Sequence, residues 1–335
     1  MTESPSAWAT HPWVAQAVRG VRFGIAWGAQ DPTSSWSETQ EFVQRVEALG
    51  FDSYWAIDHP MAPVSGADCW TTLAALAACT RTIRLGPLVS CIYYRRPALL
   101  ARMAADVDRI SGGRLILGLG IGDSAPEFQR LGIPLPPVPE RQRALDETIA
   151  IVRGLWGSEP FTFAGGQFQV TDGQTVPGPI QQPYVPLLIA GGGERVTLRQ
   201  VARYADASNF GAHRNIGGAT DDAAIVRKLD ALRVHCEAEG RSTDSVLKTH
   251  TTMLLFLAES EAALQAKLAE VPEGRRTGFA PSTMAGTPKQ AIQYFRALAA
   301  LGMQYFICFI HPKDVETAEL LAREVVPAVQ AATAP

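Results

Sequence analysis

The sequence predicts an α/β fold of the (β/α)8 barrel (TIM barrel) type with insertions, and three observations predict it. Eight apolar runs of strand length, 21–27, 52–57, 83–89, 114–120, 185–191, 206–211, 245–256 and 303–310, recur through the 335 residues. Seven of these eight runs lead directly into a stretch with helical spacing, the alternation that builds a parallel sheet covered by helices. The glycine-rich run Gly118-Leu119-Gly120-Ile121-Gly122 ends in Asp123 instead of completing G-x-G-x-x-G, and it lies far from the first βαβ unit where a dinucleotide fingerprint belongs. It therefore reads as the end of a barrel strand, the face where barrels collect their chemistry.

Taken in order, residues 1–20 read as a capping extension, and VRFGIAW leads through Trp27 to the helix SETQEFVQRVEALG. DSYWAI is followed at once by Asp58-His59, which places both at the catalytic rim. IRLGPLV precedes the helix PALLARMAADVDRISG, and RLILGLG carries glycines that let its backbone lie close to a flat ligand. Extra material follows at 121–139 and 158–184, including the helix ERQRALDETIAIVRGLW and a hairpin, FTFAGGQFQV, around Ala164-Gly165-Gly166. VPLLIAG opens into Gly191-Gly192-Gly193 and a helix from about Glu194, and DASNFG is the sixth strand. SVLKTHTTMLLF reads as one strand, 271–288 as an unpatterned stretch that is a lid, a binding loop or disordered, and MQYFICFI as the last strand. With no fixed repeat and no linker, 1–335 reads as one domain.

Composition excludes several classes of function. Hydrophobic residues at 47%, charged residues at 19% and a mean hydropathy of +0.02 describe an ordinary globular chain. A net charge of -3 without a basic stripe gives no footprint for nucleic acid. Five cysteines without C-x-x-C spacing suggest neither a disulfide frame nor a zinc site, and a reducing cytoplasm fits them. No signal peptide or membrane-spanning run is apparent. G-x-S-x-G, H-E-x-x-H and the P-loop are all missing and the six histidines stand singly, so a metal site is not expected.

Each candidate residue has a functional and a structural reading. His59 is the side chain that titrates near neutrality and Asp58 is positioned to bias it; equally, Asp58 could cap a helix beside an incidental histidine. Gly191 to Gly193 before a helix suit a phosphate, with Arg195 adding a charged contact, although a tight turn also uses glycine. Asp123 and Glu127 stand at i, i+4, where either could be a general acid; equally, Asp123 or Ser124 could form a helix N-cap. Trp27, Trp36, Trp55, Tyr93 and Tyr94 suit either an aromatic wall or plain core.

Four stretches, EALGFDSYWAIDH (47–59), WTTLAALAACTRTIRLGPLVS (70–90), RRPALLARMAADVDRISGGRLILGLGIGD (95–123) and PLLIAGGGERVTLRQVARYADASNF (186–210), resemble the luciferase-like monooxygenase superfamily of flavin and deazaflavin enzymes. The resemblance implies a barrel with the cofactor ring at its C-terminal mouth, and Asp58-His59 with the acidic end of the glycine run resembles the branch that uses coenzyme F420. It implies His59 acting on the substrate and Asp123 near the ring, where many relatives carry glutamate. It also implies a non-prolyl cis peptide near Leu88-Val89 and a phosphate turn at Gly191 to Gly193. On this reading His59 and Asp123 are catalytic. Asp58, Leu88, Val89, Ser90, Gly120, Gly191, Gly192, Gly193 and Arg195 meet the cofactor, and Trp27, Trp55 and Glu127 meet the substrate. The implied activity is hydride transfer between F420 and a small organic substrate by a cytoplasmic homodimer. The alternatives are an FMN-dependent monooxygenase that uses O2 and flavin reduced by a separate reductase, and a flavin-binding protein without catalysis.

Overall fold

The computed structural model describes residues 10–18, 20–27, 35–61 and 67–333; the expectations for the start of the chain and for part of the segment after His59 fall outside these. Backbone contacts gather into two compact units, 25–187 and 1–24 with 188–335.

In the unit 25–187 the strands are the end of β1 (Arg22–Ala26), β2 (Ser53–Ala56), β3 (Arg84–Pro87), β4 (Ser90–Cys91), β5 (Leu117–Gly120) and the antiparallel hairpin β6 (Phe161–Ala164) and β7 (Gln169–Gly173). β2 runs parallel to β3 with Trp55 opposite Gly86, and β4 runs parallel to β5 with Cys91 opposite Gly120. A parallel bridge from Leu85 to Leu115 joins β3 to the residues before β5.

The helices of this unit begin and end for local reasons. Helix Trp36–Ala48 opens on a capping box: Glu38 N–H donates to Ser35 Oγ at 3.3 Å and Ser35 N–H to Glu38 Oε2 at 2.7 Å, and Phe42, Val43 and Val46 form the buried stripe. Helix Pro97–Ser111 starts with proline in its first turn and stops at left-handed Gly112, φ +73°.

Helix carboxylates also fasten the connecting loops. Glu47 Oε1 accepts the backbone N–H groups of Arg81, Thr82 and Ile83 at 2.7, 2.6 and 3.0 Å. Asp108 Oδ2 takes those of Ile180 and Gln181 at 2.8 and 3.0 Å. Glu147 takes those of Gly166, Gln167 and Phe168 at 2.8, 2.9 and 2.9 Å. Each loop thus has its amides answered by a charged acceptor, which makes stronger bonds than a neutral one.

The unit 1–24 with 188–335 contains helix Pro12–Val18 and the strands β8 (Leu187–Ala190), β9 (Ala207–Gly211), β10 (Leu247–Thr252), β11 (Leu254–Leu257), β12 (Thr283–Gly286) and β13 (Tyr305–Phe309). Parallel pairing orders four of them β8-β9-β10-β13. β9, β10 and β13 are buried along their whole length; β13 is apolar throughout, while the buried polar side chains of β9 and β10 bond each other, Asn209 Nδ2 donating to Thr249 and Thr251 Oγ1 at 2.8 and 2.9 Å. Trp13, fully buried, meets Tyr305 edge-on at 5.9 Å.

Three expectations are corrected here. The run 245–256 is two strands: the Met253 N–H leaves for Ser282 O at 2.8 Å, so β10 stays in the main order while β11 pairs in parallel with β12. A run without a glycine or proline between the two strands carries no mark of such a change of partner. The stretch 271–288 is not irregular, since it holds helix Glu273–Gly278, the turn Ala280–Ser282 and β12, elements too short to show a period. The helix after the triple glycine begins at Thr197, not near Glu194. No helix among the described residues is long and apolar enough to cross a membrane.

Candidate functional site

The site is built at the exit of β2, where the chain leaves Ala56 as Ile57-Asp58-His59. Asp58 is buried, and its Oδ2 accepts from Arg95 Nη1 at 2.7 Å, Ser90 Oγ at 3.1 Å and Cys91 N–H at 3.2 Å. Its Oδ1, also buried, has no hydrogen-bond partner. The other arm of Arg95 binds Asp68, which caps helix Cys69–Cys79 through the Thr71 N–H at 2.9 Å. One guanidinium therefore joins both ends of the segment 58–68. Burial pushes the Asp58 carboxyl upward against the pull of Arg95. At Asp68 burial works the same way but is outweighed by the Thr71 and Arg95 bonds, and the carboxyl sits below its ordinary value.

His59 turns away from this pair. Its Nδ1 lies 2.7 Å from Glu127 Oε2, and its side chain remains 37% exposed while that of Glu127 is 1% exposed. The same Oε2 accepts from the Tyr94 hydroxyl at 2.9 Å, and Oε1 accepts the Met61 N–H at 2.9 Å. Burial opposes ionisation of Glu127, yet the bonds from His59, Met61 and Tyr94 hold its carboxyl below the usual range. An ionised carboxylate only accepts, which assigns the proton on this side of the ring to Nδ1 and leaves Nε2 as the nitrogen for an outside partner. Burial also works against the imidazolium, but the bond and charge of Glu127, with the charges of Asp123 and Asp58, raise the His59 pKa above its ordinary value.

Asp123 is exposed and lies before helix Ala125–Arg130, so it and Glu127 do not share one helical face. The cap position belongs to Ser124, which makes no side-chain cap bond. The carboxylate that hydrogen-bonds His59 is thus Glu127. The Leu88-Val89 peptide is cis, both residues are half-buried, and Ser90 beside them is fully buried and accepts from Trp70 Nε1 at 3.1 Å.

The close approach expected of the glycine run is made by the chain to itself. A Cβ on Gly118 would stand 2.1 Å from Pro87 O, and one on Gly120 2.5 Å from Val89 Cγ2. Trp55 is fully buried with its ring against Gly86 and its Nε1 on Ser53 Oγ. Trp27 is 4% exposed and pairs its backbone N–H with Trp55 O at 3.0 Å. Both tryptophans are packed as core. Tyr93 packs on Phe128 and Phe168 at 6.0 and 6.3 Å, while Trp36 is exposed.

In the other unit, Gly191 has φ +125° and spends its N–H on Asn209 O at 2.9 Å; the Gly192 carbonyl accepts from Lys228 Nζ at 2.6 Å. A Cβ on Gly192 would stand 2.7 Å from Gly217 O, a packing reason for glycine there. Gly193 and Arg195 are exposed, so an anion at this turn would meet these two first.

Arg95, Tyr94 and Met61 are the site members that sequence reasoning missed in these roles. Arg95 lies inside a family-like stretch, but nothing in its spacing pairs it with Asp58. The described residues hold no metal-binding cluster of His, Cys, Asp and Glu.

The sequence profile of the luciferase-like monooxygenase family matches residues 21–300. An F420-dependent glucose-6-phosphate dehydrogenase of Amycolatopsis mediterranei is 30% identical over 230 residues, 67% of this chain and 67% of its own. An FMNH(2)-dependent dimethylsulfone monooxygenase of Pseudomonas putida is 27% identical over 261 residues, 70% of this chain and 71% of its own. The solved coenzyme F420 dependent tetrahydromethanopterin reductase of Methanopyrus kandleri superposes with a TM-score of 0.75 at 20% identity, covering 92% of this chain and 99% of that one. This last likeness shows the fold, an α/β barrel of the luciferase-like type.

Proposed function

The chain belongs to the luciferase-like monooxygenase family, and from that membership we propose an F420-dependent oxidoreductase that moves a hydride between the deazaflavin and a small organic substrate. The observation that carries the reading is the His59–Glu127 pair at 2.7 Å, a half-exposed imidazole fixed through Nδ1 by a buried carboxylate. Similarity to the F420-dependent dehydrogenase supports the coenzyme.

The half-buried apolar pair Leu88 and Val89 fits a flat ring. When bound, the deazaflavin would take up or release the hydride. The protein's part is to orient the substrate and handle its proton. His59 Nε2 takes the hydroxyl proton as the adjoining carbon is oxidised, or returns it in the reverse direction, with Asp123 as the proton partner.

The first test follows intrinsic tryptophan fluorescence during separate titrations with F420 and FMN. Tighter binding of F420 is expected. Preference for FMN would move the chain to the monooxygenase reading, which similarity to the FMNH(2)-dependent enzyme favours, with oxygen uptake as the next assay. His59→Ala is expected to lower turnover by ~10²–10⁴-fold with F420 binding retained, the usual contribution of a positioned acid–base group. An unchanged rate would remove His59 from the chemistry.

A further inference from the structure

Glu127 does more than accept one bond. Its carboxylate is almost completely buried and receives three donors, from His59, Tyr94 and the Met61 backbone. Arg130 Nη1, the arginine on the same helix, goes to Met61 O at 3.3 Å, so that helix grips residue 61 by both its N–H and its carbonyl. One buried anion thus sets the ring of His59 and seats the main chain two residues further on.

We propose that Tyr94 and Glu127 are positioning residues that act through His59, with Glu127 fixing the imidazole tautomer while it fastens Met61. The proposal rests on the catalytic reading of His59, but its test does not require turnover. A glutamine at 127 has one acceptor oxygen and two N–H donors, so it cannot answer three donors at once, and at least one must be lost. Removing the Tyr94 hydroxyl does the opposite: it frees an Oε2 lone pair, strengthens the hold on His59 and makes the ring more basic. The other charged groups around the imidazole, Asp58 with its Arg95 and Asp123, stay in place in both variants, so a change reports on Glu127.

The experiment is pH titration of the six histidines by ¹⁵N NMR on the protein without cofactor, with the His59 signals assigned by their loss in His59→Gln. In the native chain His59 is expected to lose its imidazolium proton above the ordinary histidine value and to rest with the proton on Nδ1. In Glu127→Gln the midpoint should fall by about one pH unit, a tenfold change in proton affinity, with loss of the single tautomer. In Tyr94→Phe it should rise by a smaller step with the tautomer kept. Unchanged midpoints and tautomer in both variants would overturn the proposal. Should Glu127→Gln fail to fold, the upward step in Tyr94→Phe decides alone. F420 titration of the native chain separately tests the functional reading, so a native NMR signature without coenzyme binding would retain the positioning device and discard the chemistry.

Discussion

Asp58 and His59 are neighbours in the chain, yet each is held by a different partner. Asp58 is fixed by Arg95, and with side-chain exposures of 0% and 11% this pair is almost dry. Arg95→Met should cost about 3–5 kcal/mol in urea unfolding, because it leaves a buried carboxylate uncompensated. A loss under 1 kcal/mol would mean that water reaches Asp58. His59, in contrast, keeps 37% of its side chain exposed, and the bond and charge of Glu127 raise its pKa above the ordinary value against the opposing effect of burial. If Nε2 is the base, activity in the oxidising direction should rise with pH along a limb centred above the ordinary value of 6.5, and an acid limb below it would exclude that role. The residues Asp58, His59 and Glu127 were all legible as polar groups near strand ends. The bond between His59 and Glu127 was not, because it spans 68 positions. Sequence spacing offered Glu127 a nearer relation to Asp123, which the chain breaks by starting the helix only at Ala125.

At the scale of elements, strand-length runs located most of the main strands but not the two-residue β4, which is too short to leave a pattern. What they hid was the change of partner at Met253, where backbone pairing rather than hydropathy decides. The loops depend on single carboxylates in the same way. Glu47 lies below its ordinary pKa of 4.5, its burial being outweighed by the amides of Thr82, Ile83 and Arg81. A depressed folded pKa adds stability that is present above the unfolded value and is lost as pH falls through the folded one. Glu47→Gln should therefore cost roughly 1–3 kcal/mol at neutral pH, and the deficit should shrink in acid below pH 4.5. A deficit that is constant with pH in thermal melts would show that shape, not charge, is what the loop requires.

For the whole molecule, a net charge of -3 supplies no attractive field for an anionic coenzyme, so recognition has to be local. Ligand binding is then expected to appear as stability: at a hundred times its Kd, F420 should add about 2.7 kcal/mol, seen as a rise in Tm that FMN at the same concentration does not match. Equal shifts from both would leave the coenzyme undecided by affinity and direct the choice to turnover. The (β/α)8 fold was visible in composition and period, whereas the coenzyme rests on likeness to relatives of both kinds.

The bridge from Arg95 to Asp58 and Asp68 has a consequence for how this chain could diversify. It fastens the chain at Asp58 and at Asp68, while the histidine's ring is held separately by Glu127. A graft between these two fixed points should leave the His59–Glu127 bond as it is, which the His59 NMR signals would check. In Arg95→Met the same graft should displace His59 and lower turnover as well.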